Sequence, residues 1–443
     1  MTQADVEQAA NALVRSGMRD AGRYVIVDDC WYAQTRNANG SLRPNTHKFP
    51  TGMRWLGAYL HARGLLFGIY ASAAQNTCAQ ENGIYPGATG SLGHEQQDAN
   101  TFASWGVDYL KYDWCTPNGS LHDQIAEFTK MRNALRATGH RIVYSINPNS
   151  FHTLTSAAYN WSRIANMVRI APDLAPVWNM GPLWYWYSGV VNAIGFDAPL
   201  WQRAGPGHWN DPDALIVGLQ PATYATAVGS PAFSGFIGSP DIAAYGIPSL
   251  EEMRANFAMW AMLAAPLILG DDLRGLTPAL RQILLNRQLI AVDQDPLGRQ
   301  GFPVHSSQGL WLKPLSNHQY AVALFNRSAA RRRMLTTPHQ LGLPPASKYQ
   351  VVNLWTGKSW STPGSLWAIV PGHGAAVLRV TPVFKAPSHR SSKKHHARDL
   401  SGRPRSAIRT SAAGSPGQRA GWTRGSHRAE RVRGARRSGA SRA

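Results

Sequence analysis

Polar residues recur where short apolar segments of the chain end. These residues are Asp28, Asp29, Lys111, Asp113, Asn147, Arg169, Asp173, Asp211 and Asp213. Carboxylates at such positions are costly to bury unless they are paired or used. Several carboxylates together with one Lys, one Arg and neighbouring Trp and Tyr side chains indicate a pocket that binds a sugar. Hydroxyl groups need charged hydrogen-bond partners, and pyranose faces pack on aromatic rings.

A metal site built from the same aspartates is the competing interpretation. Lys111 lies two residues before Asp113, which places both side chains on one face of a strand, where the ammonium would repel a cation. The sequence also lacks a Gly-rich phosphate loop. We therefore expect neither a metal nor a cofactor. Because a single Asp at a strand end is more often a helix cap or a loop acceptor, the combination carries the interpretation.

Segments that predict parallel strands alternate with segments that predict helices, which is typical of βα units. The predicted strands are Tyr24–Asp29, Leu65–Tyr70, Tyr109–Tyr112, Ile142–Asn147, Met167–Ile170, Ala204–Leu215 and Pro266–Leu273. Barrels of such units keep their active sites at the C-terminal ends of the strands. We find seven strands rather than eight, because the chain opens in a predicted helix at residues 3–15. Among the other helices, Thr51 is predicted to cap one and Gly106 to end another.

The pattern changes after Gly298 to strands separated by turn residues, which predicts an antiparallel β-sandwich. Its predicted strands are Leu310–Leu315, Tyr320–Asn326, Tyr349–Trp355 and Ala375–Val380. We therefore divide the chain into a barrel at residues 1–298, a sandwich at residues 299–383 and a tail at residues 384–443.

The positive charge is concentrated in the tail. Residues 384–443 hold 16 Lys and Arg against two acidic residues, which accounts for 14 of the net charge of +20. The tail is poor in aliphatic residues, so we predict that it is disordered. We favour a solvated extension over a polyanion-binding arm, and we expect no nucleic-acid binding by the folded part. The chain has no apolar run long enough to span a membrane.

The motifs of the chain resemble glycoside hydrolase family 27, the melibiase-type α-galactosidases and α-N-acetylgalactosaminidases. The matching segments are Tyr24-Val-Ile-Val-Asp-Asp-Cys-Trp31, Gly68-Ile-Tyr70, Thr77-Cys-Ala79, Trp105-Gly-Val-Asp-Tyr-Leu-Lys-Tyr-Asp-Trp-Cys115, Gly207-His-Trp-Asn-Asp-Pro-Asp213, Trp260-Ala-Met-Leu-Ala-Ala-Pro266 and Asp293-Gln-Asp-Pro-Leu-Gly298. They occur in the family's order and cover roughly residues 3–380. The resemblance implies a (β/α)₈ barrel, or TIM barrel, followed by a β-sandwich.

The resemblance also implies a retaining exo-glycosidase that hydrolyses terminal α-D-galactosyl residues of oligosaccharides or polysaccharides, with Asp113 as nucleophile and Asp173 as general acid and base. The implied sugar contacts are Asp28 and Asp29 with O4 and O6, Lys111 with O3 and O4, Arg169 and Asn147 with O2, Tyr70 along the wall and Asp213 near the leaving group. Lys111 is expected to favour the Asp113 anion, and burial is expected to raise the Asp173 pKa. A disulfide between Cys78 and Cys115 and secretion are also implied, although the first residues lack signal-peptide features.

The chain departs from the family pattern at several positions. The family's first barrel strand, which carries a pocket tryptophan, is missing, so we expect that the chain starts too late and that Cys30 lacks its usual partner. Ser150 replaces a bulkier residue near the sugar C2 position, and residues 219–249 are expected to form an extra loop over the site. The alternatives are an α-N-acetylgalactosaminidase, a β-L-arabinopyranosidase or a truncated remnant that only binds carbohydrate or polyanions. The sequence carries no signal for the oligomeric state.

Overall fold

The computed structural model describes residues 1–20, 22–151, 155–180, 187–220, 246–270, 273–305 and 307–385. The described residues belong to one compact unit. The predicted tail, apart from its first two residues, and most of the predicted loop at residues 219–249 lie outside the described residues. The domain boundary at residue 298 and the disorder of the tail stay predictions.

Six parallel strands form the first sheet. In sheet order they are β1 Tyr24–Val27, β2 Leu66–Ser72, β3 Tyr109–Asp113, β4 Val143–Asn147, β5 Met167–Arg169 and β8 Trp209–Asp211. A parallel bridge between Leu215 and Leu269 lies where the seventh strand is predicted. Two short strands, β6 Asp173–Leu174 and β7 Tyr187–Ser188, pair with each other. The architecture is the predicted barrel, and in the described part of the chain β1 has one neighbour, β2.

Helices connect the strands and cover the sheet. The described α-helices are α1 Gln3–Arg15, α2 Gly52–His61, α3 Cys78–Glu81, α4 Glu95–Trp105, α5 Leu121–Ala137, α6 Thr155–Ala158, α7 Val190–Asp197, α8 Leu250–Leu263, α9 Pro278–Leu284 and α10 Arg287–Asp293. Thr2 caps the start of α1, because its side chain accepts a hydrogen bond from the Asp5 backbone N–H, and the helix buries Val6 and Leu13. None of the described helices is long and apolar enough to cross a membrane.

The predicted helix ends are only partly right. Gly106 adopts φ +76° at the end of α4, the left-handed conformation that glycine tolerates, as predicted. Thr51 occupies the N-cap position of α2, as predicted, but its side chain makes no capping hydrogen bond. The Thr51 hydroxyl instead donates to Gln3 Oε1 at 2.8 Å. This hydroxyl therefore ties α2 to α1, a tertiary contact over 48 residues that local patterns do not reveal.

The second part of the chain is an antiparallel β-sandwich, as predicted. One sheet has the order β14 Ser359–Thr362, β13 Lys348–Asn353, β16 Ala375–Val383, β11 Gln319–Phe325, β10 Ser307–Leu315 and β9 Phe302–Val304. The other consists of β12 Arg332–Thr336 and β15 Leu366–Val370. Four of these strands were not predicted, namely β9, β12, β14 and β15. These four strands are short or contain charged, exposed residues, such as Arg332 and Arg333 in β12.

A buried lysine joins the sandwich to the barrel. Lys313 of β10 is fully buried, and its ammonium donates to the Ala261 carbonyl at 2.7 Å, in the last turn of α8. The C-terminal end of a helix carries partial negative charge, which favours a cation there. Burial nevertheless lowers the pKa of Lys313 to about 8, while Asp293 and Asp295 act against that shift. The contact makes the barrel and the sandwich one packed unit.

Candidate active site

The register of the parallel sheet gathers the predicted polar residues at one edge. Asp113 lies opposite Asn147 of the neighbouring strand, and Arg169 lies opposite Asp211. On the other side of β3, Lys111 lies opposite Tyr70. Because all these strands run the same way, their C-terminal ends meet at one end of the barrel.

Lys111 and Asp28 form an ion pair at this end of the barrel. The Lys111 ammonium lies 2.9 Å from Asp28 Oδ2 and 5.3 Å from the centre of the Tyr70 ring. Desolvation raises the pKa of Asp28, but the charge and hydrogen bond of Lys111, the Asp29 N–H and the charge of Arg169 together outweigh it. The Asp28 pKa therefore lies below its usual range. The pKa of Lys111 is raised, because Asp28 and Asp113 outweigh desolvation. Lys111 and Asp28 are therefore both charged at neutral pH.

The Asp29 carboxylate is hydrogen-bonded to the start of α3. Its Oδ2 accepts from the Ala79 backbone N–H at 2.9 Å, and its Oδ1 accepts from the Cys30 N–H at 2.7 Å. Desolvation raises the pKa of Asp29 to about 6, against the effect of the Ala79 hydrogen bond.

Asp113 ends β3 and is 5% exposed. Its Oδ1 has no hydrogen-bond partner among the described residues. Desolvation raises the pKa of Asp113 to about 7 and outweighs the opposing effect of Lys111. Lys111 lowers the Asp113 pKa, as expected, but burial raises that pKa by more. A buried carboxylate with one free oxygen is suited to attack an electrophilic carbon.

A disulfide forms the wall beside Asp113, as the resemblance implies. Cys78 and Cys115 are bonded to each other, and their sulfurs lie within 4.8 Å of an Asp113 carboxylate oxygen. The Tyr70 hydroxyl lies 3.2 Å from Cys115 Sγ and accepts a hydrogen bond from the Cys78 N–H at 3.4 Å. The disulfide therefore packs Tyr70 against the base of the pocket. Cys30, by contrast, is a free cysteine.

Removing the disulfide is expected to destabilise the protein. The bond joins residues 37 positions apart, and closing a loop of this length contributes about 4 kcal/mol in the chain-entropy model. We expect a double Cys78→Ser, Cys115→Ser variant to lose a comparable free energy of unfolding, measured by chemical denaturation. Cys30→Ser is the matched control, since that cysteine is unpaired. Equal stability of the double variant and the control would contradict the expectation.

Arg169 organises three carboxylates on the opposite side of the pocket. Its Nη1 lies 2.8 Å from Asp173 Oδ1, its Nη2 lies 2.7 Å from Asp213 Oδ1, and its Nε lies 3.7 Å from Asp211 Oδ2. The arginine side chain is 8% exposed, so these pairs are poorly screened by water. The sequence pattern places Asp211 at a strand end and gives it no role. In the structure, Asp211 lies beside Arg169.

The Asp173 side chain is 61% exposed. Its pKa is nevertheless raised, because the surrounding protein restricts its hydration and because Asp213 is nearby. Arg169 acts in the opposite direction. A raised pKa favours the protonated form, which an acid needs in order to donate a proton to a leaving group.

Asn149 is a site residue that the sequence analysis missed. Its Nδ2 donates to the Arg169 carbonyl at 3.1 Å and to Ser156 Oγ at 2.9 Å. Its backbone N–H donates to Asn147 Oδ1 at 3.0 Å, so Asn149 orients the Asn147 side chain. The signal was the repeated asparagine in Asn147-Pro148-Asn149, since asparagine side chains often bond the backbone two residues away.

Comparison with known proteins agrees with this geometry. The family model "Alpha galactosidase A" matches residues 2–233 and 232–295, and the model "Alpha galactosidase C-terminal beta sandwich domain" matches residues 306–380. Alpha-galactosidase A of Cellvibrio japonicus is 35% identical over 397 residues, with 85% of this chain and 87% of the relative covered. Alpha-N-acetylgalactosaminidase of Gallus gallus is 34% identical over 360 residues, with 79% of each chain covered.

A solved structure shares the architecture. Alpha-galactosidase I of Mortierella vinacea superposes with a TM-score of 0.72 at 29% identity, over 87% of this chain and 94% of that one. The matches span both the barrel and the sandwich. The chain therefore belongs to the melibiase family of α-galactosidases, glycoside hydrolase family 27.

Proposed function

We propose that the protein hydrolyses terminal α-D-galactosyl residues of oligosaccharides or polysaccharides with retention of configuration. The observation that carries the proposal is the buried Asp113 carboxylate. It has a free oxygen and lies among the charges of Lys111, Asp28, Arg169 and Asp173, all of which act on its pKa. Membership of the α-galactosidase family supports the choice of sugar.

In the proposed mechanism, Asp113 attacks the anomeric carbon and forms a glycosyl ester. Asp173 donates its proton to the glycosidic oxygen, so that the aglycone leaves as a neutral alcohol. Asp173, now ionised, then removes a proton from water, which attacks the anomeric carbon and releases Asp113. The raised pKa of Asp173 supports its role as the acid.

The remaining polar groups are proposed to hold the sugar. Asp28 and Asp29 are assigned to O4 and O6, Lys111 to O3 and O4, and Arg169 with Asn147 to O2, while Tyr70 lines the wall. Neighbouring hydroxyls of a sugar suit an adjacent acceptor and donor, which the ion pair of Asp28 and Lys111 supplies at 2.9 Å.

A 2-acetamido sugar is the second candidate substrate. The Ser150 hydroxyl is buried and has no partner among the described residues, and serine is a small residue beside the assigned O2 region. A buried hydroxyl without a partner favours a ligand that supplies one. The Gallus gallus relative is named for action on N-acetylgalactosaminides.

The test is a panel of nitrophenyl glycosides that share one leaving group. We expect kcat/KM for the α-galactoside to exceed that for the α-N-acetylgalactosaminide and the β-L-arabinopyranoside, and NMR to show the α-anomer as first product. The Asp113→Asn variant serves as the blank for contaminating hydrolases. Preference for another sugar, or a β-anomer as first product, would overturn the proposal.

The acidic limb of the pH profile is expected near pH 7 rather than near pH 4. Asp113 must be ionised to attack, and burial raises its pKa to about 7, so kcat/KM falls as the pH drops below that value. Lys111→Met removes the charge that opposes this shift and should move the limb to higher pH. Asp28→Asn removes a charge that adds to the shift and should move it to lower pH. Superimposable limbs in all three proteins would contradict the prediction.

We also propose that the protein works in an oxidising compartment, such as the exterior of the cell. A disulfide between Cys78 and Cys115 supports this, since disulfides persist in oxidising surroundings and are rare in the cytosol.

A further inference from the structure

Both carboxylate oxygens of Asp213 are held by the protein itself. Oδ2 accepts from the Leu174 backbone N–H at 2.7 Å. Oδ1 accepts from the Ala214 N–H at 2.7 Å and lies 2.7 Å from Arg169 Nη2. Leu174 directly follows Asp173, so Asp213 holds both the main chain next to Asp173 and the arginine that contacts the Asp173 carboxylate.

The backbone of Asp213 adopts an unusual conformation and is held by two hydrogen bonds. Its φ is +84°, a conformation that residues with a side chain rarely adopt and that persists only when the surroundings impose it. The Asp213 N–H donates to Asp211 Oδ1 at 2.8 Å. The indole of the fully buried Trp260 donates to the Asp213 carbonyl at 2.7 Å. Helix α8 therefore sets the position of Asp213, and Asp213 sets the position of β6.

We propose that Asp213 is a positioning residue that holds Asp173 for proton transfer to the leaving group, rather than a group that binds the sugar. This inference rests on the proposed function, in which Asp173 is the acid. Asp213 acts through the Leu174 N–H and through Arg169, whose Nη2 it occupies, so that only Nη1 contacts Asp173. A guanidinium free of Asp213 could bind the Asp173 carboxylate through two nitrogens, which favours the ionised form.

Asp173 faces several charged groups. The charged groups are Arg169 of β5, Asp213 just after β8, and Lys111 and Asp113 of β3. Tyr187 of β7 is an uncharged neighbour, and Asp211 of β8 lies beside Arg169. The negative charge of Asp213 raises the Asp173 pKa, and Arg169 lowers it. Removing the charge of Asp213 therefore lowers the Asp173 pKa, and the alkaline limb of the pH profile moves to lower pH.

The test compares Asp213→Asn with the wild-type protein on aryl α-galactosides whose leaving groups differ in pKa. We expect kcat to fall at least tenfold more for the poorest leaving group than for dinitrophenolate. We also expect KM to change less than threefold and the alkaline limb to move to lower pH. A rise in KM with an equal loss of kcat across the series would show a sugar-binding role and overturn the inference, as would an unchanged profile.

Asp98→Asn is the matched control. Asp98 is fully buried and pairs with Arg36 through two contacts of 2.7 Å outside the pocket, so this variant also loses a buried Asp–Arg pair. We expect it to lose stability without any change in leaving-group dependence. If Asp213→Asn does not fold, Trp260→Phe removes the indole donor to the Asp213 carbonyl without changing a charge. It should show the same leaving-group dependence at smaller magnitude, and a uniform loss would overturn the inference.

Failure of the proposed function is distinguishable from failure of this inference. A wild-type protein that hydrolyses no galactoside contradicts the function. A wild-type protein that is active, with Asp173→Asn sensitive to the leaving group and Asp213→Asn insensitive, contradicts only the positioning role of Asp213.

Discussion

Replacing Asp113 with asparagine is expected to reduce kcat by more than about a thousandfold, since loss of a catalytic nucleophile typically costs at least that much. The amide keeps the shape of the carboxylate but does not form the glycosyl ester. Retention of more than about 1% of the wild-type activity, after correction for contaminants, would rule out Asp113 as the nucleophile.

The same variant is expected to fold normally and to be at least as stable as the wild type at neutral pH. The pKa of Asp113 is raised from 3.8 to about 7 on folding, so the folded state binds its proton more tightly than the unfolded state. Stability from this group is therefore full at low pH and is lost as the pH rises from about 4 to about 7. Asparagine has no such charge to bury. Thermal unfolding at pH 5 and pH 8 measures the difference.

Asp197→Asn is the matched control for both the kcat and the stability of Asp113→Asn. Asp197 is fully buried, its pKa is also raised to about 7, and one of its oxygens also lacks a partner among the described residues. Its other oxygen accepts from Asn210 and Gln300, away from the pocket. We expect this variant to keep the wild-type kcat. A comparable loss of kcat in both variants would mean that the Asp113 effect comes from general disruption of buried carboxyl groups.

Replacing Asp173 with asparagine is expected to lower turnover in proportion to how much the leaving group needs a proton. General acid catalysis contributes roughly 10²- to 10⁴-fold, and this contribution vanishes when the leaving group departs as a stable anion. We therefore expect glycosylation of the variant by dinitrophenyl galactoside to be far less impaired than that by alkyl galactosides. Pre-steady-state release of the nitrophenolate measures this step directly.

An external nucleophile separates the two roles of Asp173. Hydrolysis of the glycosyl ester also needs Asp173, as a base, so the intermediate should accumulate in the variant when the leaving group is good. Azide attacks without needing a base, so it should restore turnover and give the α-galactosyl azide. Equal losses across the leaving-group series, with no effect of azide, would contradict both roles.

Much of the fold was predictable because local patterns determine it. Strand β1 leads directly into Asp28, and strands β3 and β5 end at Asp113 and Arg169. Thr2 and Asp5 form a capping box at the start of α1. The strands β9, β12, β14 and β15 escaped prediction. They are short, and in β15 the solvent-facing residues Trp367 and Ile369 are apolar, so its sequence lacks the alternation of apolar and polar residues that marks a half-buried strand.

The sequence by itself determined which residues reach the end of the barrel. Alternation along β3 places Lys111 and Asp113 on one face, and parallel strands bring the residues at their ends together. The pairing of Cys78 with Cys115 came from the family resemblance, and the structure confirms it.

Only the tertiary structure decided how these residues share their charges. Lys111 bonds Asp28, which lies 83 residues away, and Arg169 divides its contacts between Asp173 and Asp213. Burial then raises the Asp113 pKa to about 7 in spite of Lys111. The physical reason is that ion pairing and desolvation depend on distances and burial, which arise from segments remote in the sequence and act differently on neighbouring carboxylates.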